Sequence, residues 1–588
     1  MKPVQVFKEN LEYLLPAFGK YKKNAYSSII ATIIETILEL LIPFFMAKIV
    51  DDAIANKDIK LTIIYGIIMI VASLFCMLAG TTATRNASIS STGYGYNLRN
   101  IEYRKIQTFA FKDIEDLSAS SLITRMTTDI QTLIMAVFMT IRFLIKAPVM
   151  LLVALFLTLR INAKLSLIFL VVLPIVVFGA YYIAKEAIPR FAIFRKQFDR
   201  INQTVEENLE NIRVVKSFVR GDFEKKKFAK ESHGMFEIAD NTFGMISKAF
   251  PLANVIMSVT IVLILLFGGR FIVAGEMKVG ELTSFITYAT QILVSLTIMS
   301  MVLIQIMSST ASILRISEVL KREPAMKETE EEDTPKVEDG SIDFENVFFK
   351  YEKDSKNYAL SGVNLHIKSG ERIGILGETG SSKSTLVQLI PRLYDVSEGV
   401  IKVSGRDVRD YKIKDLRDEV SIVLQKNTLF SGTIKENLKW GNLDATDEQI
   451  QEAVRISCAD EFLSERDGGI ESTLGQGGSG VSGGQKQRLC IARSLLKNPK
   501  ILILDNSTSA VDTTTDSKIK KALKEFSKDM TTITISQRIN SVKDSDRIII
   551  MKDGRVDDIG THEYLMENNK AYNETYKAQQ MGVEDGEE

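Results

Sequence analysis

The residues with the plainest chemical meaning are Gly377-Glu378-Thr379-Gly380-Ser381-Ser382-Lys383-Ser384, with Thr385 next. They follow an apolar run ending at Leu376 and lead into a helical stretch, Thr385 to Leu393. A strand, a glycine-bearing turn and a helix start present converging backbone N–H groups, which suit a phosphate. Lys383 can neutralise charge on the outer phosphates of a nucleotide, and Ser384 can ligate Mg²⁺. Ser382 fills the place before the lysine where glycine is usual. A Cβ on left-handed backbone there costs ~1–2 kcal/mol, set against nucleotide binding. A second element is Ile501-Leu502-Ile503-Leu504-Asp505, an apolar strand that delivers a carboxylate to its end. Such a carboxylate holds Mg²⁺ directly or through water.

Between these two lies Val481-Ser482-Gly483-Gly484-Gln485, followed by Lys486-Gln487-Arg488. With this run the chain resembles the ABC transporter family over nearly its whole length. Ser-Gly-Gly-Gln looks like the family signature, with Val481 where leucine is usual. By the same resemblance Gln425 matches the Q-loop glutamine beside Mg²⁺, and Tyr351 the aromatic that stacks on adenine. Ser509-Ala510-Val511-Asp512 matches the D-loop. The cofactors implied are ATP and Mg²⁺, the metal falling to Ser384, Gln425 and Asp505. The family dimer is head-to-tail, so Ser482 and the Gly483 and Gly484 amides would address the γ-phosphate held by a partner. Hydroxyl and amide donors suit that task, because phosphate oxygens only accept.

The resemblance also shows what is missing. The residue after the Walker B aspartate is usually glutamate, but here it is Asn506. An amide can hydrogen-bond a water but cannot take its proton near neutral pH. The switch histidine should follow the strand Thr532–Ile535, where the chain reads Ser536-Gln537-Arg538. The only histidines are His233, His366 and His562, so none can serve there. Gln476 likewise stands where glutamate is common. Two losses together favour natural degeneracy over a single engineered change. The resemblance is therefore to the degenerate-site subunit of bacterial heterodimeric multidrug exporters. The partner expected is a second, non-identical half-transporter that carries the missing Glu and His. The alternatives are a homodimeric exporter with slow ATPase, and an ATP-gated membrane channel or sensor.

These residues need a frame to position them. At 588 residues the chain is too long for one ordinary domain. Lys and Arg number 73 and so do Asp and Glu, which disfavours a nucleic-acid partner and a highly charged disordered chain. Cys76, Cys458 and Cys490 lie too far apart for a disulfide framework or a clustered metal site. A membrane crossing takes ~20 mostly apolar residues. Six segments qualify: Ser27 to Ala47, Leu61 to Gly80, Phe138 to Leu159, Leu165 to Ile188, Leu252 to Val273 and Leu282 to Ser308. Basic residues gather in the two long connections and before the first segment, which places those parts in the cytoplasm of a plasma membrane. The N-terminus carries no cleavable signal pattern.

The expected fold is thus an α-helical six-span membrane domain followed by an α/β P-loop ABC nucleotide-binding domain. The boundaries expected are 1–322 for the membrane domain, 323–340 for an acidic linker, 341–580 for the nucleotide domain and 581–588 for an acidic tail. By resemblance Ala119–Asp129 is the first coupling helix, and the second lies near Asn208–Val219. Glu35 and Glu39 share a face of the first span at i, i+4. They either attract cationic substrates or pair with a base such as Arg142 or Lys146. Met299, Met301, Met307, Phe285 and Tyr288 either line an adaptable pocket or simply pack.

Overall fold

The computed structural model describes residues 10, 12–329, 334–352, 354–506, 511, 513–526 and 529–584. The chain forms two compact units. One runs to Gln107 and resumes from Ala119 to Arg322; the other takes Thr108–Ser118 and the chain from Glu323 onward.

The first unit is helical. Its elements are α1 (Lys22–Lys48), α2 (Ile59–Gln107), then, beyond α3 (Phe111–Leu117), α4 (Ala119–Ile161), α5 (Ala163–Glu210), α6 (Ile212–Ser217), α7 (Gly221–Ile246), α8 (Ala249–Val273) and α9 (Val279–Lys321). Among the described residues five helices are long and apolar enough to cross a membrane. The fourth expected segment falls in α5, whose described apolar part, Ala163–Gly179, is shorter than a full crossing. The described residues thus give five candidate spans against the six expected. Their outward surfaces carry large apolar side chains such as Leu74, Phe75, Leu152 and Phe156, as a lipid-facing helix requires. Small polar groups join the helices. Ser28 Oγ donates to Ala83 O at 2.7 Å, and Tyr288 Oη to Leu40 O at 2.9 Å. Phe285 and Tyr288 are fully buried and pack, whereas Met301 and Met307 are exposed.

Among the described residues the other unit holds twelve strands. An antiparallel sheet has the order β2 (Leu360–Ile367), β1 (Ile342–Phe349), β4 (Glu398–Val403), β5 (Arg406–Asp407). The second sheet runs β12 (Arg555–Gly560), β11 (Arg547–Lys552), β3 (Arg372–Gly377), β10 (Thr531–Ile535), β9 (Ile501–Asp505), β6 (Val420–Val423). Only the β11–β12 pair in it is antiparallel. A short pair, β7 (Gly432–Thr433) and β8 (Thr473–Leu474), stands apart. Strand β9 explains its own composition. Ile501 and Ile503 enter one core with Ile373, Ile375 and Val347, while Leu502 and Leu504 enter another with Leu489 and Ile491. Both faces are covered, so the strand is apolar throughout rather than alternating.

Three expectations on layout need correction. Thr108–Ser118, placed in the membrane domain by the sequence, belongs to the nucleotide unit. Ala119–Asp129, expected as a coupling helix, instead opens the long helix α4. It is tied to α9 through Arg125–Glu318 at 2.9 Å and Asp129–Arg315 at 2.5 Å. The C-terminal helix α12 (Lys570–Glu584) continues past residue 580 into the segment read as a tail; 585–588 lie outside the described residues.

Candidate functional site

Parallel strands β3, β10, β9 and β6 end on one edge of their sheet. Ile535 is paired with both Ile375 and Asp505, and Val423 with Leu504. The loops that leave these ends lie side by side: the glycine loop after β3, Ser536-Gln537 after β10, Asn506 after β9 and Gln425 after β6. Sheet order thus assembles residues more than 150 positions apart in sequence.

The glycine loop is shaped by its backbone. Gly377 has φ +152, and a Cβ there would strike the Met551 carbonyl. Gly380 has φ +89. Glu378, Thr379 and Gly380 form the exposed rim, and Ser381 N donates back to Glu378 O at 3.2 Å. Ser382 takes the left-handed conformation, φ 68 and ψ 27, immediately before helix α10 (Lys383–Gln388). The Lys383 ammonium is buried within its own loop. It donates to Gly377 O at 2.8 Å, Glu378 O at 2.7 Å and Ser381 Oγ at 3.2 Å. Burial pulls its pKa below the ordinary lysine value, because desolvation disfavours the ammonium, while the Asp505 carboxylate opposes the shift.

Ser384 Oγ donates to Asp505 Oδ1 at 3.0 Å. Asp505 is 1% exposed, and burial lifts its pKa against the opposing pull of Ser384 and Lys383. Two hard oxygens from different elements, at the base of a phosphate-sized loop, fit Mg²⁺. Bound there, Mg²⁺ would neutralise phosphate charge; Ser384 and Asp505 would hold it. Gln425 is exposed just beyond β6, on the same edge.

Tyr351 lies beyond β1. Its hydroxyl and Thr385 Oγ1 are 2.9 Å apart, and its ring meets Tyr394 edge-on at 5.4 Å. Tyr394 Oη donates to Glu115 Oε1 at 3.0 Å, and its ring approaches Phe111 at 6.2 Å. Both partners belong to α3. That helix is fixed by Asp113, whose Oδ2 accepts from Ala110 N at 3.0 Å and from Ala325 N at 2.9 Å. A chain of direct contacts therefore links α3 to the phosphate loop through Tyr394 and Tyr351. Sequence reasoning missed Tyr394 and α3, though an Asp three residues past a helix start is a recognisable cap.

At the hydrolytic edge, Asn506 has φ 47, and its N–H donates to Ile535 O at 3.1 Å. Asparagine tolerates that backbone. Gln537 is exposed. Its carbonyl accepts from Gln579 Nε2 at 2.9 Å, and Gln579 Oε1 accepts from Ile539 N at 2.9 Å. One amide of α12 thus pins both sides of the switch loop, a role with no sequence signal.

Ser482 caps helix α11 (Gly483–Leu495). Its Oγ accepts from Gln485 N at 3.3 Å, and Gln485 Oε1 accepts from Ser482 N at 2.9 Å. This reciprocal cap leaves the Gly483 and Gly484 amides at an exposed helix start. Val481 packs against the neighbouring core. Gln476 opens a short turn, Gln476–Gly478. Asp512 and the rest of its loop except Val511 lie outside the described residues.

Glu35 and Glu39 lie elsewhere, inside the helical unit. Arg142 holds Glu35 at 2.6 and 2.9 Å, and Lys146 bridges Glu35 at 3.0 Å and Glu39 at 2.9 Å. Of the two readings left open, the ion pair is the one observed.

A parallel sheet whose one edge gathers a phosphate loop, a Mg²⁺-ready carboxylate and a capped signature helix, in a chain that also forms a bundle of lipid-facing helices, defines an ATP-binding membrane transporter. Comparison with known proteins gives the particular family. Residues 26–296 match the ABC transporter transmembrane region, and 360–509 match the family described as ABC transporter. The uncharacterized ABC transporter ATP-binding protein YfiB of Bacillus subtilis is 35% identical over 97% of this chain and 98% of its own. YgaD of the same organism, described as a putative multidrug export ATP-binding/permease protein, is 29% identical over 98% and 100%. In fold the chain matches a bacterial Atm1-family ABC exporter with ATP bound, with a TM-score of 0.81, 21% identity, and coverage of 95% of this chain and 98% of that one. The chain belongs to the ABC transporter family, as a multi-pass membrane protein fused to its nucleotide-binding domain.

Proposed function

We propose that this chain is one half of a heterodimeric, ATP-driven exporter of amphiphilic compounds, drugs or lipids, in a plasma membrane. Its nucleotide unit and N-terminus face the cytoplasm, and six spans alternate access between the two sides. Its own loop holds ATP with Mg²⁺ and hydrolyses it poorly, while Ser482 and Gly484 complete the site of a partner that supplies Glu and His.

The observation that carries this reading is the pairing of Asn506 and Gln537 on adjacent strand ends. Neither side chain can accept a proton near neutral pH, and loss of a general base typically costs ~10²–10⁴ in rate. The phosphate loop and the signature cap beside them keep their donors.

Two further features support a second chain. Around α6, inside the region expected for the second coupling helix, Val214, Phe218 and Val219 are exposed, Val219 by 88%. In the nucleotide unit a groove lined by Leu393, Ile422, Leu424 and Trp440 is open, with Trp440 62% exposed. Apolar surfaces of this kind mark interaction sites. The exporter direction draws on the fold match and on the printed name of YgaD.

The test is to purify the chain alone and with candidate half-transporters, then measure phosphate release and dye efflux. The pair should hydrolyse at least ~10² faster than the single chain. A self-paired assembly as fast as the pair would overturn the heterodimer in favour of a homodimeric exporter. Nucleotide-dependent ion conductance without hydrolysis would favour a channel or sensor.

A further inference from the structure

Glu35 and Glu39 belong to an open recess within the helical unit, lined also by Arg85, Arg142 and Lys146. Three cations face two carboxylates there. The carboxylates are already matched: Arg142 grips Glu35 with two nitrogens, and Lys146 spans Glu35 and Glu39. Gly80 lets α2 close over this cluster, since a Cβ there would sit 3.2 Å from the Glu35 carboxyl carbon. Arg85 is left over. It is exposed into the recess and has no ion pair among the described residues.

The α2 side of the recess is graded. Met77, Gly80, Thr81, Thr84 and Arg85 fall at helical spacing on one face, apolar first, then hydroxyl, then cationic. A guanidinium with no carboxylate partner among the described residues, beside the apolar side chain of Met77, attracts a counter-anion. Guanidinium is also the side chain best shaped to grip a carboxylate or phosphate with two parallel hydrogen bonds.

We propose that this recess binds an amphiphile with a singly negative headgroup, a phosphodiester or carboxylate. The headgroup pairs with Arg85 beside Thr84, and the apolar chain lies along Met77. This deepens the transport reading, on which it rests, and reverses the charge preference that Glu35 and Glu39 suggest in isolation.

The test uses the full chain in neutral-detergent micelles without nucleotide, titrated with fluorescent probes and read by polarisation. The probes are phosphatidylglycerol and dodecanoate as anions, phosphatidylcholine as zwitterion and dodecyltrimethylammonium as cation. The anions should bind about tenfold or more tightly than the others. Arg85→Ala should remove that preference and Arg85→Lys retain much of it. Binding of one anion alone would assign the headgroup; binding of both supports the shared chemistry. Equal binding of all headgroups, tightest binding of the cation, or an unchanged Arg85→Ala would overturn the assignment. A pair that moves substrate yet binds all headgroups alike would sink this inference and leave the transport reading standing. Headgroup-selective binding without transport by any pair would do the opposite.

Discussion

The phosphate loop and the hydrolytic edge share one sheet edge, and their chemistry has diverged. At the loop, Lys383, Ser384 and Asp505 keep every charge and donor that a Mg²⁺–nucleotide needs. A strand away, Asn506 and Gln537 keep polarity and approximate size without basicity. Binding and turnover make different demands, because a phosphate needs only fixed donors whereas water attack needs a proton acceptor at one point. The signature helix lies on the intact side of this divide. In the proposed heterodimer it would act on the partner's nucleotide.

The largest test of the contrast lies in that helix. Gly484→Asp sets a carboxylate against a partner's γ-phosphate and should cut hydrolysis by the pair ~10²–10³ fold. Lys383→Ala in the same chain should cut it far less while abolishing ATP retention by this chain's own loop, read by nucleotide photolabelling. Equal losses would erase the proposed asymmetry between the two sites. Next in size is restoration. Asn506→Glu alone should leave phosphate release slow, and Asn506→Glu with Gln537→His should raise it ~10² fold. Full recovery from the single change would make Gln537 irrelevant.

A smaller effect is expected from Gln579. Its amide makes two hydrogen bonds to the switch loop, each worth about 1 kcal/mol. In the restored double variant, Gln579→Ala should lower turnover by up to about thirtyfold with ATP affinity unchanged. Smaller still is Tyr394→Phe, which deletes one charge-assisted bond to Glu115. Burial and that carboxylate hold the phenol above its ordinary pKa, so it donates at any physiological pH. Its loss should lower substrate-stimulated ATPase about fivefold and leave basal ATPase unchanged. A drop in both would make the contact merely structural.

The same contrast governs what could be read in advance. The phosphate loop, Asp505 and the signature follow strand–turn–helix periodicity, a local property of sequence, and each is seated at a strand or helix end. Helix α3 does not. Thr108 to Phe111 contains neither glycine nor proline to announce a break; Asp113 makes it, by capping Ala110 and receiving Ala325 N from 212 residues away. The charge cluster is hidden for the same reason. Glu35 and Glu39 share a visible face, but Arg142 and Lys146 reach them from a helix more than 100 residues later. Gln579 reaches Gln537 across 42 residues, with no pattern to mark it.

The finest test concerns Ser382, on the intact side. A left-handed serine costs ~1–2 kcal/mol relative to a relaxed backbone. Glycine would relieve that strain, and its greater freedom in the unfolded chain offsets part of the gain, leaving about 1 kcal/mol. Where the gain appears depends on when the strain is incurred. Ser382 already holds φ 68 with the loop closed around Lys383, so the cost belongs to folding and not to nucleotide capture. Ser382→Gly should therefore raise the melting temperature of the nucleotide unit by about 2–4 °C and leave the ATP Kd unchanged. A tighter Kd with no thermal shift would mean that the loop enters this conformation only around phosphate. The serine would then weaken nucleotide binding itself.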